Sequence, residues 1–289
     1  MLPDGRQLGF AVEGEGEPIV YFHGTASSRL EIRLLKEFAF TNHFRLIGVD
    51  RPGFGLSSFK DRLRLRDFAP DVDALADYLG LTKFAVLSWS GGGPFALTYM
   101  ALNPERVTRT VVVGSPCLPF DPSTAHNGNP FAKVAMKLPF VAKWALGMFR
   151  KTVLSANQDI ENYLASRSGK NMVAGWPEPD ACFFADPAWL RLMYGAMTEG
   201  FRQNCRSIEA IYQEHRLFMK PWNEPVRKIP SGKLTVFQGG QDKTCPVHNA
   251  LEIAKIVSGA RMELLPNEGH CVMFSRPEIL SRCLENSTN

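Results

Sequence analysis

The chain has 289 residues, 45% of them hydrophobic and 21% charged, and a formal net charge of +4. That is the make-up of one large domain, or of one domain carrying an insertion, with enough apolar residue to bury a sizeable core. The positive excess is small and scattered, which excludes a nucleic-acid footprint. No apolar run reaches the length of about 18 residues that reads as a membrane span, and the best of them, Leu138 to Phe149, carries Lys143.

At the start, Met1-Leu2-Pro3-Asp4-Gly5-Arg6 holds no apolar signal segment, so a cytoplasmic location is expected. Six cysteines stand far apart with no C-x-x-C pair, the pattern of reduced thiols. Asn286-Ser287-Thr288 fits a glycosylation sequon and is read as chance. Gly5 to Val12 reads as an edge strand, and Glu13 to Pro18 as a turn. Ile19-Val20-Tyr21-Phe22 is a buried strand ending at His23-Gly24-Thr25. Arg29 to Phe40 has helical spacing, with Leu30, Leu34, Leu35 and Phe38 on one face. Phe44 to Val49 is a second buried strand, followed by the turn-rich loop Asp50-Arg51-Pro52-Gly53-Phe54-Gly55-Leu56-Ser57-Ser58. Asp67 to Leu79 is predicted as a helix. Phe84 to Leu87 is a strand that meets Ser88-Trp89-Ser90-Gly91-Gly92 and then a helix to Leu102, and Arg109 to Gly114 is the next strand.

These apolar runs are continuous rather than alternating, so both sheet faces are covered. That predicts a parallel, doubly wound α/β sheet. From Pro116 to about Ile229 the strand–helix rhythm stops, and only helical periodicity and turns remain. In this stretch Asn129 to Leu154 reads as two helices broken at Pro139, and Asp186 to Trp222 as a further long helical stretch. The rhythm resumes with a strand at Lys233 to Phe237, a helix at Pro246 to Val257, a strand at Arg261 to Leu265 and a helix at Pro277 to Leu284. The expected division is a core of residues 1–115 and 230–289 with a helical cap of residues 116–229 over one sheet edge.

Strand, sharp turn, helix is the setting of a nucleophile elbow. The serine at its apex sits on strained backbone, and its second neighbours on either side must be small, here Ser88 and Gly92. A serine hydroxyl needs a base, the base an orienting acid, and the developing oxyanion a set of donors. Downstream of Ser90, Asp242 follows one predicted strand and His270 another, each on a loop at a strand's carboxyl end, where ligands bind in open α/β sheets. Each has an ordinary competing role. Ser90 can cap a helix, Asp242 can sit in a turn before the helix near Pro246, and His270 can be a core histidine. Asp121 is a competing acid. His43, His126, His215 and His248 have no evident partner.

On these motifs, together with His23-Gly24 and Asp50-Arg51-Pro52-Gly53-Phe54-Gly55-Leu56-Ser57, the chain resembles the α/β-hydrolase family over nearly its whole length, with Ser88 standing where the elbow pattern has glycine. The resemblance implies a mostly parallel sheet of about eight strands with a lid inserted after Ser115. It implies a triad of Ser90, Asp242 and His270, and oxyanion donors from the backbone N–H groups of Gly91 and Thr25. His23 is read as shaping the oxyanion loop, and Asp50 and Arg51 as loop-fixing residues. Serine at the elbow sets aside the family's aspartate-dependent dehalogenases and epoxide hydrolases. A cofactor-independent carboxylesterase is the expected activity, on a small, neutral, hydrophobic substrate, because the cap is apolar and no arginine cluster faces the site. No acidic pocket for a free amino terminus is visible, which favours ester over peptide. Lactone opening, C–C hydrolysis, hydroxynitrile cleavage or perhydrolysis on the same triad stay open, as does a ligand-binding or signalling role with little turnover.

Overall fold

The computed structural model describes residues 1–61, 64–125, 134, 136–222 and 225–285. The apolar runs become β1 (Phe10–Glu13), β2 (Glu17–Phe22), β3 (Phe44–Val49), β4 (Phe84–Trp89), β5 (Val107–Val113), β6 (Leu234–Gly239) and β7 (Arg261–Leu265), paired in the order β1-β3-β2-β4-β5-β6-β7. β1 runs antiparallel to β3, and every other pair is parallel.

Among the described residues the sheet has seven strands, which corrects the expected eight. Residues before Phe10 add none, because their backbone is spent elsewhere. Leu2 and Arg6 close a turn, the Gly9 N–H goes to Ser57 Oγ at 2.9 Å, and the Gly9 C=O accepts from Asp50 N–H at 2.9 Å. The same bonds shorten the edge strand predicted from Gly5.

Adjacent residues of the central strands serve opposite faces, which is why no alternation is visible in sequence. Tyr21, Leu46, Leu87, Val111 and Phe237 pack into one buried cluster, and Phe22, Ile47, Val86, Val112 and Val236 into the other. α1 (Lys36–Thr41), α2 (Ala69–Tyr78) and α3 (Gly93–Leu102) follow β2, β3 and β4. The single helix predicted over Arg29 to Phe40 is instead a 3-10 turn, Arg29–Leu35, that passes into α1 where Leu35 leaves helical backbone (φ −109°, ψ 14°). The helix predicted from Asp67 likewise starts with a 3-10 turn, Leu65–Phe68.

Between β5 and β6 lie α4 (Pro139–Gln158), α5 (Ile160–Ala165), α6 (Arg167–Ala174), α7 (Glu178–Ala185), α8 (Pro187–Gly200) and α9 (Cys205–Phe218). Pro139 stands in the first turn of α4, where its missing N–H leaves no bond unmade. Most of the helix expected before Pro139 lies outside the described residues, as do His126 and the sequon at Asn286. The long helical stretch predicted from Asp186 to Trp222 breaks into α8 and α9 at Asn204, whose φ of 54° no helix accommodates. α10 (Val247–Ile256) covers β6 and β7, and α11 (Val272–Ser275) and α12 (Pro277–Leu284) close the fold. No helix among the described residues is long and apolar enough to cross a membrane.

Candidate active site

The chain order reverses between β2 and β4, which are neighbours in the sheet although β3 lies between them in sequence. Loops leaving the carboxyl ends of such a pair diverge and open a crevice. The loop after β2 carries His23, Gly24 and Thr25, and the turn after β4 carries Ser90 and Gly91.

Ser90 is held at φ 53°, a left-handed backbone that side chains avoid. Its neighbours show why they must be small. A Cβ on Gly92 would overlap the Phe22 carbonyl oxygen, and one on Gly93 the Ser115 hydroxyl. On Gly91 a Cβ would overlap the Thr25 hydroxyl and come within 3.2 Å of the Thr25 backbone nitrogen. The backbones at Thr25 and Gly91 therefore approach closely beside Ser90, as a pair of N–H donors for one oxygen requires. Ser88, in place of glycine, is wholly buried in β4 and fits without displacing the turn.

His270 Nδ1 bonds Asp242 Oδ2 at 2.7 Å, with both side chains almost fully buried. Asp242 is itself oriented by the Thr244 and Cys245 N–H groups, each donating to Oδ1 at 2.8 Å. Gly114, at φ 51°, makes room: a Cβ there would stand 2.9 Å from His270 Nδ1 and 3.0 Å from Asp242 Oδ2. Burial disfavours the charged ring, but the charge and hydrogen bond of Asp242, helped by Asp180 and Glu31, outweigh it and hold the His270 pKa above its ordinary value. Asp121, the competing acid, instead caps its own turn through Ser123 N at 3.0 Å. Cys245 lies within hydrogen-bonding reach of Ser90, but burial and Asp242 push its thiol pKa well up, so it is no thiolate nucleophile at neutral pH.

The His23 Nδ1–H donates to the Gly24 carbonyl at 2.7 Å, and Asp50 accepts from the Arg29 and Leu56 N–H groups at 2.7 and 2.9 Å. Both are loop-fixing contacts. Ser90, His270 and Thr25 line one cavity of about 380 Å³, walled by Trp89, Leu146, Phe149, Met193 and Met197 among others. His215 also lines it; its Nδ1–H donates to the Ile211 carbonyl at 2.8 Å, which makes Nε2 the acceptor nitrogen of the neutral ring.

Sequence reasoning gave no role to four side chains here: His215, Glu31, Asp180 and Glu214. Glu31 is fully buried at the cavity wall, where Oε1 accepts from the Tyr21 hydroxyl at 2.7 Å and the Gly24 N–H at 2.9 Å. Asp180 accepts from the His270 and Cys271 N–H groups, both at 2.8 Å. Glu214 pairs with Arg51. None of these four sits in a motif. His43 and His248 are not among the residues lining the cavity. Among the described residues no group of three or more His, Cys, Asp or Glu side chains could hold a metal ion.

A family model described as alpha/beta hydrolase fold matches residues 17–277. Among curated proteins, the chain is 24% identical to a proline iminopeptidase of Xylella fastidiosa, covering 88% of this chain and 83% of that one. It is 26% identical to a non-heme haloperoxidase of Rhodococcus erythropolis, covering 92% and 90%. Among solved structures, an alpha/beta hydrolase fold protein from Nakamurella multipartita superposes with a TM-score of 0.68 at 20% identity, covering 96% of this chain and 95% of the other.

Proposed function

Because the chain belongs to the α/β-hydrolase family, we propose that it is a serine hydrolase cleaving carboxylic esters of neutral, hydrophobic acids or alcohols. The observation that carries this reading is His270, bonded to Asp242 and lining the same apolar cavity as Ser90. Ser90 Oγ attacks the ester carbonyl while His270 Nε2 takes its proton. The Thr25 and Gly91 N–H groups hold the oxyanion. His270 then gives the proton to the departing alcohol, and water, activated by the same imidazole, releases the acid from Ser90. Asp242, bonded to Nδ1, keeps Nε2 free to act as base and stabilises the imidazolium. In this reading the stretch 116–229 supplies the cap, and its described helices contribute Leu146 and Phe149 of α4 and Met193 and Met197 of α8 to the cavity wall.

The cavity wall favours an ester over a peptide with a free amino terminus. Its fully buried carboxylate, Glu31, already serves Tyr21 and Gly24 through one oxygen, and the other oxygen is sealed from solvent. An ammonium group therefore finds no open carboxylate there. Turnover of p-nitrophenyl acetate and butyrate, compared with Ser90→Ala, tests the reading. Wild-type turnover and a loss of about 10³-fold or more in the variant are expected; equal turnover overturns it.

A further inference from the structure

Two buried carboxylates reach down from the helices between β5 and β6 and grip the two loops on which the chemistry depends. The first is Asp180 on α7, 1% exposed. Its Oδ2 accepts the His270 N–H and its Oδ1 the Cys271 N–H, both at 2.8 Å. The preceding residue has to be glycine for this to happen, since a Cβ on Gly269 would overlap the Asp180 carboxylate. The glycine of the Gly269-His270 motif is thus explained by a partner on a helix far away in the chain.

The second is Glu214 on α9, fully buried against an equally buried Arg51. Arg51 Nε donates to Glu214 Oε1 at 2.7 Å and Nη2 to Oε2 at 3.1 Å. The same guanidinium donates to the His23 carbonyl at 2.5 Å and the Gly24 carbonyl at 3.2 Å. Gly24 is held from its other side by Glu31 through its N–H. Gly24, the residue leading into Thr25, is therefore held at both its N–H and its C=O, and the cation that reaches that carbonyl is paired with Glu214. Removing charged groups from water is expensive, and a plain cover over an apolar cavity does not need it.

We propose that these helices are a working part of the active site: Asp180 positions His270, and Glu214, acting through Arg51, positions the oxyanion loop at Gly24 and Thr25. The proposal rests on the serine-hydrolase reading above. Both are positioning residues, since neither touches the reacting atoms. They differ in one respect. The charged groups facing His270 are Asp242 from the loop after β6, Asp180 from α7 and Glu31 from the 3-10 turn after β2, and all three favour its protonated form. Asp180 therefore acts on both the position and the proton affinity of the ring, whereas Glu214 acts on loop position alone.

The test measures kcat, KM and the pH profile of ester turnover for wild type, Ser90→Ala, Asp180→Asn and Glu214→Gln, with the folded fraction of each read by near-ultraviolet circular dichroism. A misplacement of about 1 Å in a reacting constellation can lower the rate about 10²-fold, so kcat per folded molecule is expected to fall on that order in both carboxylate variants with KM little changed. In Asp180→Asn the acid limb of kcat/KM moves to lower pH, and in Glu214→Gln it stays in place. Wild-type kcat and an unmoved acid limb, in enzyme whose Ser90→Ala variant is inactive, overturn the positioning roles and leave the serine reading intact. Full turnover by Ser90→Ala overturns that reading instead. If Asp180→Asn folds poorly, Asp180→Ser is measured in the same way; if neither folds, the carboxylate belongs to the fold alone and the proposal falls.

Discussion

Ser90 occupies backbone that costs an L-residue about 1–2 kcal/mol, at φ 53°. Glycine adopts that backbone freely. Ser90→Gly is therefore expected to unfold at higher denaturant than Ser90→Ala, by about 1 kcal/mol, with both variants inactive; equal stability would show that the turn is not strained. His270 gives a second expectation. Its neutral form is the base, so kcat/KM is full above its pKa and lost as pH falls through it. Because that pKa is raised above 6.5 by Asp242 and its neighbours against the effect of burial, the loss should set in at a higher pH than for an ordinary histidine. Stability runs the other way. A raised folded-state pKa contributes stability that is fully present below 6.5 and lost as pH rises through the folded value. Activity and the His270 contribution to stability, compared between wild type and His270→Gln, should therefore move in opposite directions with pH.

At the scale of elements, the elbow works because β4 and α3 meet with almost no room between them. Every residue from Gly93 to Met100 is buried, so α3 is a central helix wedged against the sheet rather than a surface one. A Cβ on Gly92 would overlap the Phe22 carbonyl oxygen and stand 2.9 Å from that of His23. Both obstacles are backbone, which cannot swing aside. Gly92→Ala should destabilise by about 1–3 kcal/mol in a denaturant titration and should also lower kcat, because the shifted backbone belongs to β2 and its oxyanion loop. An unchanged midpoint would mean that the turn relaxes freely. Ser88, in place of glycine, lies wholly buried within β4, before the turn itself.

Across the whole molecule, the buried Arg51–Glu214 pair ties α9 to the sheet's active edge. Removing one partner of such a pair typically costs about 3–5 kcal/mol, because an unpaired charge is left buried. Glu214→Ala should lose stability on that scale by denaturant unfolding, and Glu214→Gln, which keeps a hydrogen-bond acceptor, should lose less. Equal losses would argue that packing rather than charge holds the pair. Further ties run from α8. Arg29 bridges Asp50 and Glu199 at 2.7 and 2.8 Å, and the Ser28 hydroxyl donates to the Ala196 carbonyl at 2.8 Å.

The sequence by itself determined the sheet, the elbow and the order of Ser90, Asp242 and His270. These are local signals: apolar runs bounded by turns, small residues at a sharp bend, and an acid and a histidine each placed just after a strand. It also marked Gly269 and Arg51 without giving their partners. Only the tertiary structure decided that Asp180 fills the space beside Gly269, that Glu214 neutralises Arg51, that Glu31 holds Gly24, and that His215 joins the cavity. Each is a pairing between residues distant in the chain, and no periodicity or spacing encodes which buried charge will meet which. The strand count was decided in the same way, since the backbone of Gly9 bonds to the Asp50 loop and is not free to extend the sheet. Local patterns select elements, whereas long-range electrostatics and packing select the contacts that aim them.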